Sequence, residues 1–387
     1  MKFAHLGDCH LGSWRVPALQ QLNLESFRKA IEICIKEKVD FVLIAGDLFD
    51  SAYPPIEILK ETFFELKKLK DSGIPCFLIA GSHDFSASGK TFLDVLERAG
   101  FCKNVLSSEQ RQDHLILNPT IFENVAIYGY PGKKAGLEVQ ELKNVKLQEA
   151  PGFFRVFMLH TSIKGAIGSL PIESVIESEL PEADYYALGH LHIDYAEGKF
   201  VYSGPIFPNN FQELEELKSG TFYIVDATNN NLKYKKVQLN LKDVEIIDLE
   251  ITNALTATDK IIFELGKRNL KDKVVMLKLS GKLEQGKPSN INFTQIEDFV
   301  KSKESFTFVK SSSQLSTEEK EITIEASDMD KVEGEIIKEY LIKNPTQFSK
   351  YIDSLMHSLS MEKQEDEKST IFEDRLFGEI KKVLELQ

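Results

Sequence analysis

Phe41-Val-Leu-Ile-Ala-Gly-Asp47 (FVLIAGD) and Cys76-Phe-Leu-Ile-Ala-Gly-Ser-His-Asp84 (CFLIAGSHD) are continuous apolar runs that each end abruptly in ionisable side chains. A short apolar run rich in aliphatic residues, without polar alternation, reads as a strand buried on both faces. A helical pattern near Leu22 to Lys38 separates FVLIAG from a first strand at Lys2 to Gly7. A second, near Ile56 to Lys70, separates it from the strand Pro75 to Ala80, and a third follows from Thr91 to Arg98. Such βαβ alternation predicts an α/β fold with parallel strands covered by helices. Further strands are expected at Ile121 to Tyr128, Arg155 to Leu159, Tyr185 to Leu188, Phe200 to Ser203 and Thr221 to Val225.

The residues that end these strands carry the chemistry. Asp8 and His10 follow the first strand, Asp47 follows FVLIAG, and Ser82, His83 and Asp84 follow FLIAG. His160 follows VFML, and His190 and His192 follow YYALG. Ligand sites of open α/β sheets lie beyond the carboxyl ends of the strands, so these side chains are expected on one rim. In DxH and HxH the spacing of two predicts side chains pointing the same way from extended backbone. Imidazoles and carboxylates without thiolate suit manganese, iron or zinc. Two aspartates and four histidines exceed the needs of one catalytic ion, so two metals sharing a carboxylate are expected. A metal pair clamps the attacking and leaving oxygens of a phosphoryl displacement, and phosphoester hydrolysis is the implied reaction. His5, His114 and His357, which lack this setting, read as structural.

Composition narrows the remaining classes. The chain has 387 residues, 42% of them apolar, enough for two or three domains. A net charge of −13 argues against broad adhesion to nucleic acid, though a local cationic site can still bind phosphate. Cys9, Cys34, Cys76 and Cys102 form no CxxC pair and read as reduced core thiols of a cytoplasmic protein. No apolar run is long enough for a membrane span, and MKFAHLGD lacks the features of a signal peptide.

The texture changes after Asn229-Asn-Asn231. Residues 1–240 are expected to form the catalytic domain, and 244–326 a small α+β module. The module reads as strand (VEIIDLEI), helix (Ala257 to Lys267), strand (KVVMLKLSG), helix (Thr294 to Lys301) and strand (SFTFVK). Residues 328–387 read as helices, one opened by Asn344-Pro345 and the last by Thr370 and Glu373 after a charged linker at 362–368. The last helix spaces Ile371, Phe372, Leu376, Ile380, Val383 and Leu384 into an apolar stripe widened by Phe377, and Phe348, Tyr351, Ile352, Leu355 and Leu359 form a similar face. Burial against another chain would stabilise by about 1.5 to 3 kcal/mol per large side chain removed from water.

The set GDCH, GDLFD, GSHD, a histidine after VFML, and GHLH resembles the calcineurin-like metallophosphoesterases. GDCHLG at the start, GDLFDSAYPP, and ALGHLH followed by VYSGP look specifically like the Mre-eleven/SbcD nucleases of double-strand-break repair, most similar to archaeal members. The resemblance implies a two-sheet sandwich flanked by helices, a capping module that selects DNA, and C-terminal helices that dock on the coiled-coil base of a Rad-fifty/SbcC-type ATPase. It implies one manganese ion held by Asp8, His10, Asp47 and His192, and a second by Asp47, Ser82, His160 and His190. His83 would assist the leaving oxygen, and Asp50 would orient His83. The family carries asparagine where this chain has Ser82, whose shorter hydroxyl is a weaker donor, so the second metal would be held more loosely. The resemblance further implies manganese-dependent exonuclease and endonuclease activity at DNA ends, and a homodimer. Lys133, Lys134 and Lys164 read as solvated loop charges with a lesser claim to phosphate. Rival readings are a phosphatase or phosphodiesterase on the same scaffold and a non-catalytic DNA-bridging subunit.

Overall fold

The computed structural model describes residues 1–85, 91–228, 231–317, 351–361, 363 and 369–384, apart from the side chains of 135, 353, 357 and 369. Met1–Thr317 forms one compact unit and Glu318–Gln387 another.

Two six-stranded sheets dominate the first unit. Strands β1 (Lys2–Leu6), β2 (Phe41–Ala45), β3 (Cys76–Ile79) and β4 (Lys103–Asn104) are parallel neighbours in the first sheet, and β14 (Gly220–Asp226) and β15 (Lys233–Leu239) extend it antiparallel beside β1. The second sheet has the order β12-β13-β11-β10-β8-β7, from β7 (Thr120–Phe122), β8 (Val125–Tyr130), β10 (Phe154–His160), β11 (Tyr185–Gly189), β12 (Asp194–Glu197) and β13 (Phe200–Ser203). A side sheet joins β5 (Ser108–Arg111), β6 (His114–Leu117) and β9 (Val145–Leu147).

Strand alternation builds the layers. Phe41 and Leu43 of β2 point between the sheets, where they pack with Phe3, Phe77, Ile127, Val156, Met158 and Tyr185. Val42 and Ile44 point the other way, onto Phe27, Ile31, Leu66 and Leu69 of the covering helices α1 (Pro17–Glu37) and α2 (Ile56–Asp71). Burial on both faces is why FVLIA is apolar throughout. The outer face of the second sheet packs Tyr128, Phe157, Leu159 and Tyr186 against Val139 and Leu142, from α4 (Leu137–Glu141) and the turn after it. The result is the expected two-sheet sandwich between helices. α3 (Phe92–Arg98) and α5 (Lys164–Ile167) complete this part.

After β13 the chain forms α6 (Phe211–Leu217), returns to the first sheet as β14 and β15, and then builds a three-stranded parallel sheet of β16 (Val244–Glu250), β17 (Val274–Leu283) and β18 (Thr307–Thr317), covered by α7 (Ala254–Gly266) and α8 (Phe293–Ser302). These elements have their own core of Ile247, Ile261, Leu265, Leu277, Leu279 and Ile296. The other unit contains α9 (Ile352–Leu359) and α10 (Ser369–Val383).

Several boundaries differ from the sequence reading. Helix α1 starts at Pro17 rather than Leu22, because proline at the first helical position gives up only an N–H that has no intrahelical partner. The expected strand 121–128 is a hairpin of β7 and β8 that turns at Glu123 and Asn124, with Glu123 at φ 50°. That turn has no glycine or proline, so the apolar pattern runs through it. Helix α7 begins earlier than expected, after Asn253, whose side chain caps Leu255 N. Helix α10 begins at Ser369, which makes Thr370 helical rather than a cap. Asn344, Pro345 and Phe348 lie outside the described residues, as do 318–326 and most of 362–368. All four cysteines are buried free thiols. No described helix is long and apolar enough to cross a membrane.

Candidate metal centre

The ends of β1, β2 and β3 in one sheet meet the ends of β10 and β11 in the other, so the rim is shared by two sheets. Backbone bonds from Asp8 N to Gly46 O (3.2 Å) and His10 N to Asp47 O (2.9 Å) continue the β1–β2 pairing into the loops. Asp8, His10, Asp47, His190 and His192 all have positive φ, between 41° and 105°. The extended backbone expected for DxH and HxH is therefore absent; each chain turns back at the strand end and carries its side chains into a common pocket. Glycine permits the approach: a Cβ on Gly81 would lie 2.1 Å from Asp47 Oδ1, and one on Gly46 would lie 2.3 Å from His160 Nδ1.

Asp8, His10 and His192 offer ligand atoms within 4.8 Å of one another, and so do Asp8, Asp47 and His160. Asp47 Oδ2 lies 3.1 Å from His160 Nε2 and 3.5 Å from His10 Nε2, so it faces both imidazoles. His190 stands beside His160, with ring centroids 5.1 Å apart, and its N–H donates to Asp8 Oδ1 (2.8 Å). Ser82 and His83 sit at the mouth, lining an 860 Å³ cleft with Asp50, Tyr53, Lys133, Lys134 and His190. Lys133 is ion-paired with Glu141, whereas Lys164 does not line this cleft.

Partners on the far side of each ring set its tautomer. His160 Nδ1 donates to Ala45 O (2.9 Å), leaving Nε2 facing inward, buried and without a well-aligned hydrogen bond. His10 Nδ1 faces Asp50 Oδ1 at 3.2 Å, and His192 Nδ1 faces Glu213 Oε1 at 3.0 Å. Both carboxylates accept, so the two Nε2 atoms, 3.0 Å apart, turn lone pairs toward each other. A cation between them relieves that repulsion, and buried carboxylates with inward imidazoles form a donor set for divalent transition metals. The arrangement fits a metal centre.

Electrostatics agree. Burial would raise the Asp47 carboxyl, but the His160 and His10 imidazoles and the His83 N–H hold it far below the usual range. Burial likewise opposes charge on His160, yet Asp47 and Asp8 raise it to about 10 in the protein alone. A divalent ion held here would supply the positive charge these carboxylates otherwise draw from imidazolium. His190 is pushed down to about 4 by burial and by its neighbour His160.

One role differs from the sequence reading. The Asp50 carboxylate is directed at His10 and is 3.9 Å from His83 Nδ1; the group that accepts from His83 is the Asp50 backbone carbonyl, at 2.9 Å. Asp84, which ends the same strand, is buried and accepts from Leu48 N, Phe49 N and Gly81 N, tying two loops together. Burial, then Asp47, raises it to about 7. Glu213 was missed, because one glutamate in the run Glu213-Leu-Glu-Glu216 carries no local signal. His5, read as structural, is buried between the sheets.

The sequence profile described as calcineurin-like phosphoesterase matches residues 1–194. The chain is 29% identical to "DNA double-strand break repair protein Mre11" of Methanocaldococcus jannaschii, over 77% of this chain and 77% of that protein. Its counterpart in Sulfolobus acidocaldarius is 28% identical over 70% of this chain and 72% of its own length. "Uncharacterized metallophosphoesterase YhaO" of Bacillus subtilis is 28% identical over 61% of this chain and 59% of its own. A profile match across half of the chain, laid over strand ends that gather this donor set, places the protein in the calcineurin-like phosphoesterase family.

Proposed function

We propose that this chain is a manganese-dependent nuclease that hydrolyses phosphodiester bonds at DNA ends, working as a homodimer beside a Rad-fifty/SbcC-type ATPase. The observation that carries the reading is the pair of inward-facing donor groups built on Asp8, His10, His192, Asp47 and His160, opening onto a cleft lined by His83. DNA as substrate rests on the similarity to the archaeal repair proteins.

Asp8, His10, Asp47 and His192 would hold one ion, and Asp47, Ser82, His160 and His190 the other. The bound ions supply Lewis acidity toward the phosphate and a nucleophile at neutral pH. The protein's part is positional. Asp50 and Glu213 keep His10 and His192 in the tautomer that faces inward. His83 has 48% of its side chain exposed, and with Nδ1 donating to the Asp50 carbonyl, Nε2 is left to face the cleft. In the imidazolium form that atom donates a proton to the leaving oxygen or stabilises its charge. The small sheet at 244–317 would cap and select the duplex, and the apolar faces of α9 and α10 would bind the ATPase.

Digestion of end-labelled duplex DNA with added manganese, wild type beside His83→Ala, tests the reading. Wild type should degrade the label, and His83→Ala should be slower by about 100- to 10,000-fold while keeping its metal affinity. Equal rates would remove His83 from the chemistry, and no manganese-dependent cleavage of DNA by wild type would overturn the nuclease assignment.

A further inference from the structure

We infer that the small sheet-and-helix layer at 244–317 holds the metal centre in register, acting through the seven-residue helix α6 on His192. The inference rests on the metal-centre reading above and adds a positioning device to it.

Three consecutive residues of α6 bridge the metal centre and the small sheet. Glu213 accepts from His192 Nδ1 at 3.0 Å, and its carboxylate is held by Asn209 N (2.9 Å) and Asn210 Nδ2 (2.5 Å). Leu214 is fully buried in a cluster with Val274, Met276 and Val309 of β17 and β18, joined by Leu19 and Leu22 of α1. Glu215 accepts from Lys278 Nζ of β17 at 2.8 Å, and Asp248 of β16 stands 3.9 Å from the same ammonium. An isolated helix this short has little stability of its own, so packing decides where α6 sits. Any shift of β17 therefore moves the carboxylate that fixes the ring of His192.

Glu213 is thus a positioning residue, and Lys278 acts on the centre through it without touching a ligand. Outer partners of metal-bound imidazoles typically govern affinity by 10- to 100-fold. A test that does not depend on turnover is Mn(II) binding by the full chain, followed by titration calorimetry and by the electron paramagnetic resonance spectrum of the bound ion.

Glu213→Ala should weaken binding by about 10- to 100-fold, and Glu213→Gln, whose amide oxygen still accepts from Nδ1, should recover much of it. Lys278→Glu, placed against Glu215 and Asp248, should weaken binding roughly threefold to tenfold, in the range of couplings between linked sites. The exchange Glu215→Lys/Lys278→Glu restores the pair between α6 and β17, though Asp248 still stands against the new carboxylate, and should recover most of the affinity and the spectrum. Unchanged affinity in Lys278→Glu, or a loss that the exchange fails to recover, would overturn the coupling. Absence of Mn(II) binding by wild type would instead overturn the metal centre itself, so the two failures are distinguishable.

Discussion

Five of the proposed ligands sit at positive φ, a region that costs a non-glycine residue roughly 1 to 2 kcal/mol. Strain persists only where the surroundings over-determine it, and here backbone bonds between the β1 and β2 loops, together with the carboxylate of Asp84, hold the turns. Ser82 is the proposed ligand at which the resemblance implies a different residue, asparagine. It lines the cleft beside His83 and His190, and its hydroxyl oxygen is one covalent bond nearer the backbone than the amide oxygen of asparagine. Ser82→Asn is expected to tighten the weaker metal site on the order of tenfold. Calorimetry with Mn(II) checks this, and an unchanged isotherm would show that position 82 makes no contact with the ion.

At the scale of elements, α10 keeps part of its apolar stripe in contact with solvent. Ile371 and Phe377 are exposed by 55% and 61%, while Phe372, Leu376, Ile380, Val383 and Leu384 are only half-buried. On α9, Ile352 and Leu355 are half-buried, Met356 and Leu359 exposed. Large apolar side chains left in this state favour docking on another helical surface. If the proposed ATPase partner docks there, removing residues 362–387 is expected to abolish co-purification with it while Mn(II) affinity stays within twofold of wild type, about 0.4 kcal/mol. Loss of metal binding in the truncated chain would mean that α10 supports its own protein instead.

Across the whole molecule, His5 of β1 reaches from the first sheet to Tyr185 of β11 in the second, with Nδ1 2.8 Å from the phenol oxygen. Burial pushes this imidazole down to about 3, against an opposing bond at Leu188. Its folded pKa lies below the ordinary value near 6.5, so on acidification the unfolded chain takes up the proton first. The stabilisation is complete above about pH 6.5 and is lost progressively below it, by about 1.4 kcal/mol per pH unit. Urea unfolding without metal should show wild type losing about 2 kcal/mol more than His5→Gln between pH 7 and pH 5. Parallel losses would show that His5 is not the group that titrates.

Much of this protein was legible in local pattern. FVLIA and CFLI had to be strands buried on both faces because nothing polar interrupts them, and the aspartates and histidines were visible as breaks at strand ends. The turn at Glu123 stayed hidden because its residues carry no breaker. Tertiary structure alone decided that the candidate ligands come from two sheets, that the Asp50 carboxylate turns to His10, and that Glu213 stands behind His192. Periodicity and chain breaks act within a few residues and leave a signature there. The partner of an imidazole is chosen by how distant layers pack: His10 and His192 are 182 positions apart in sequence, yet their ring nitrogens are 3.0 Å apart in the fold.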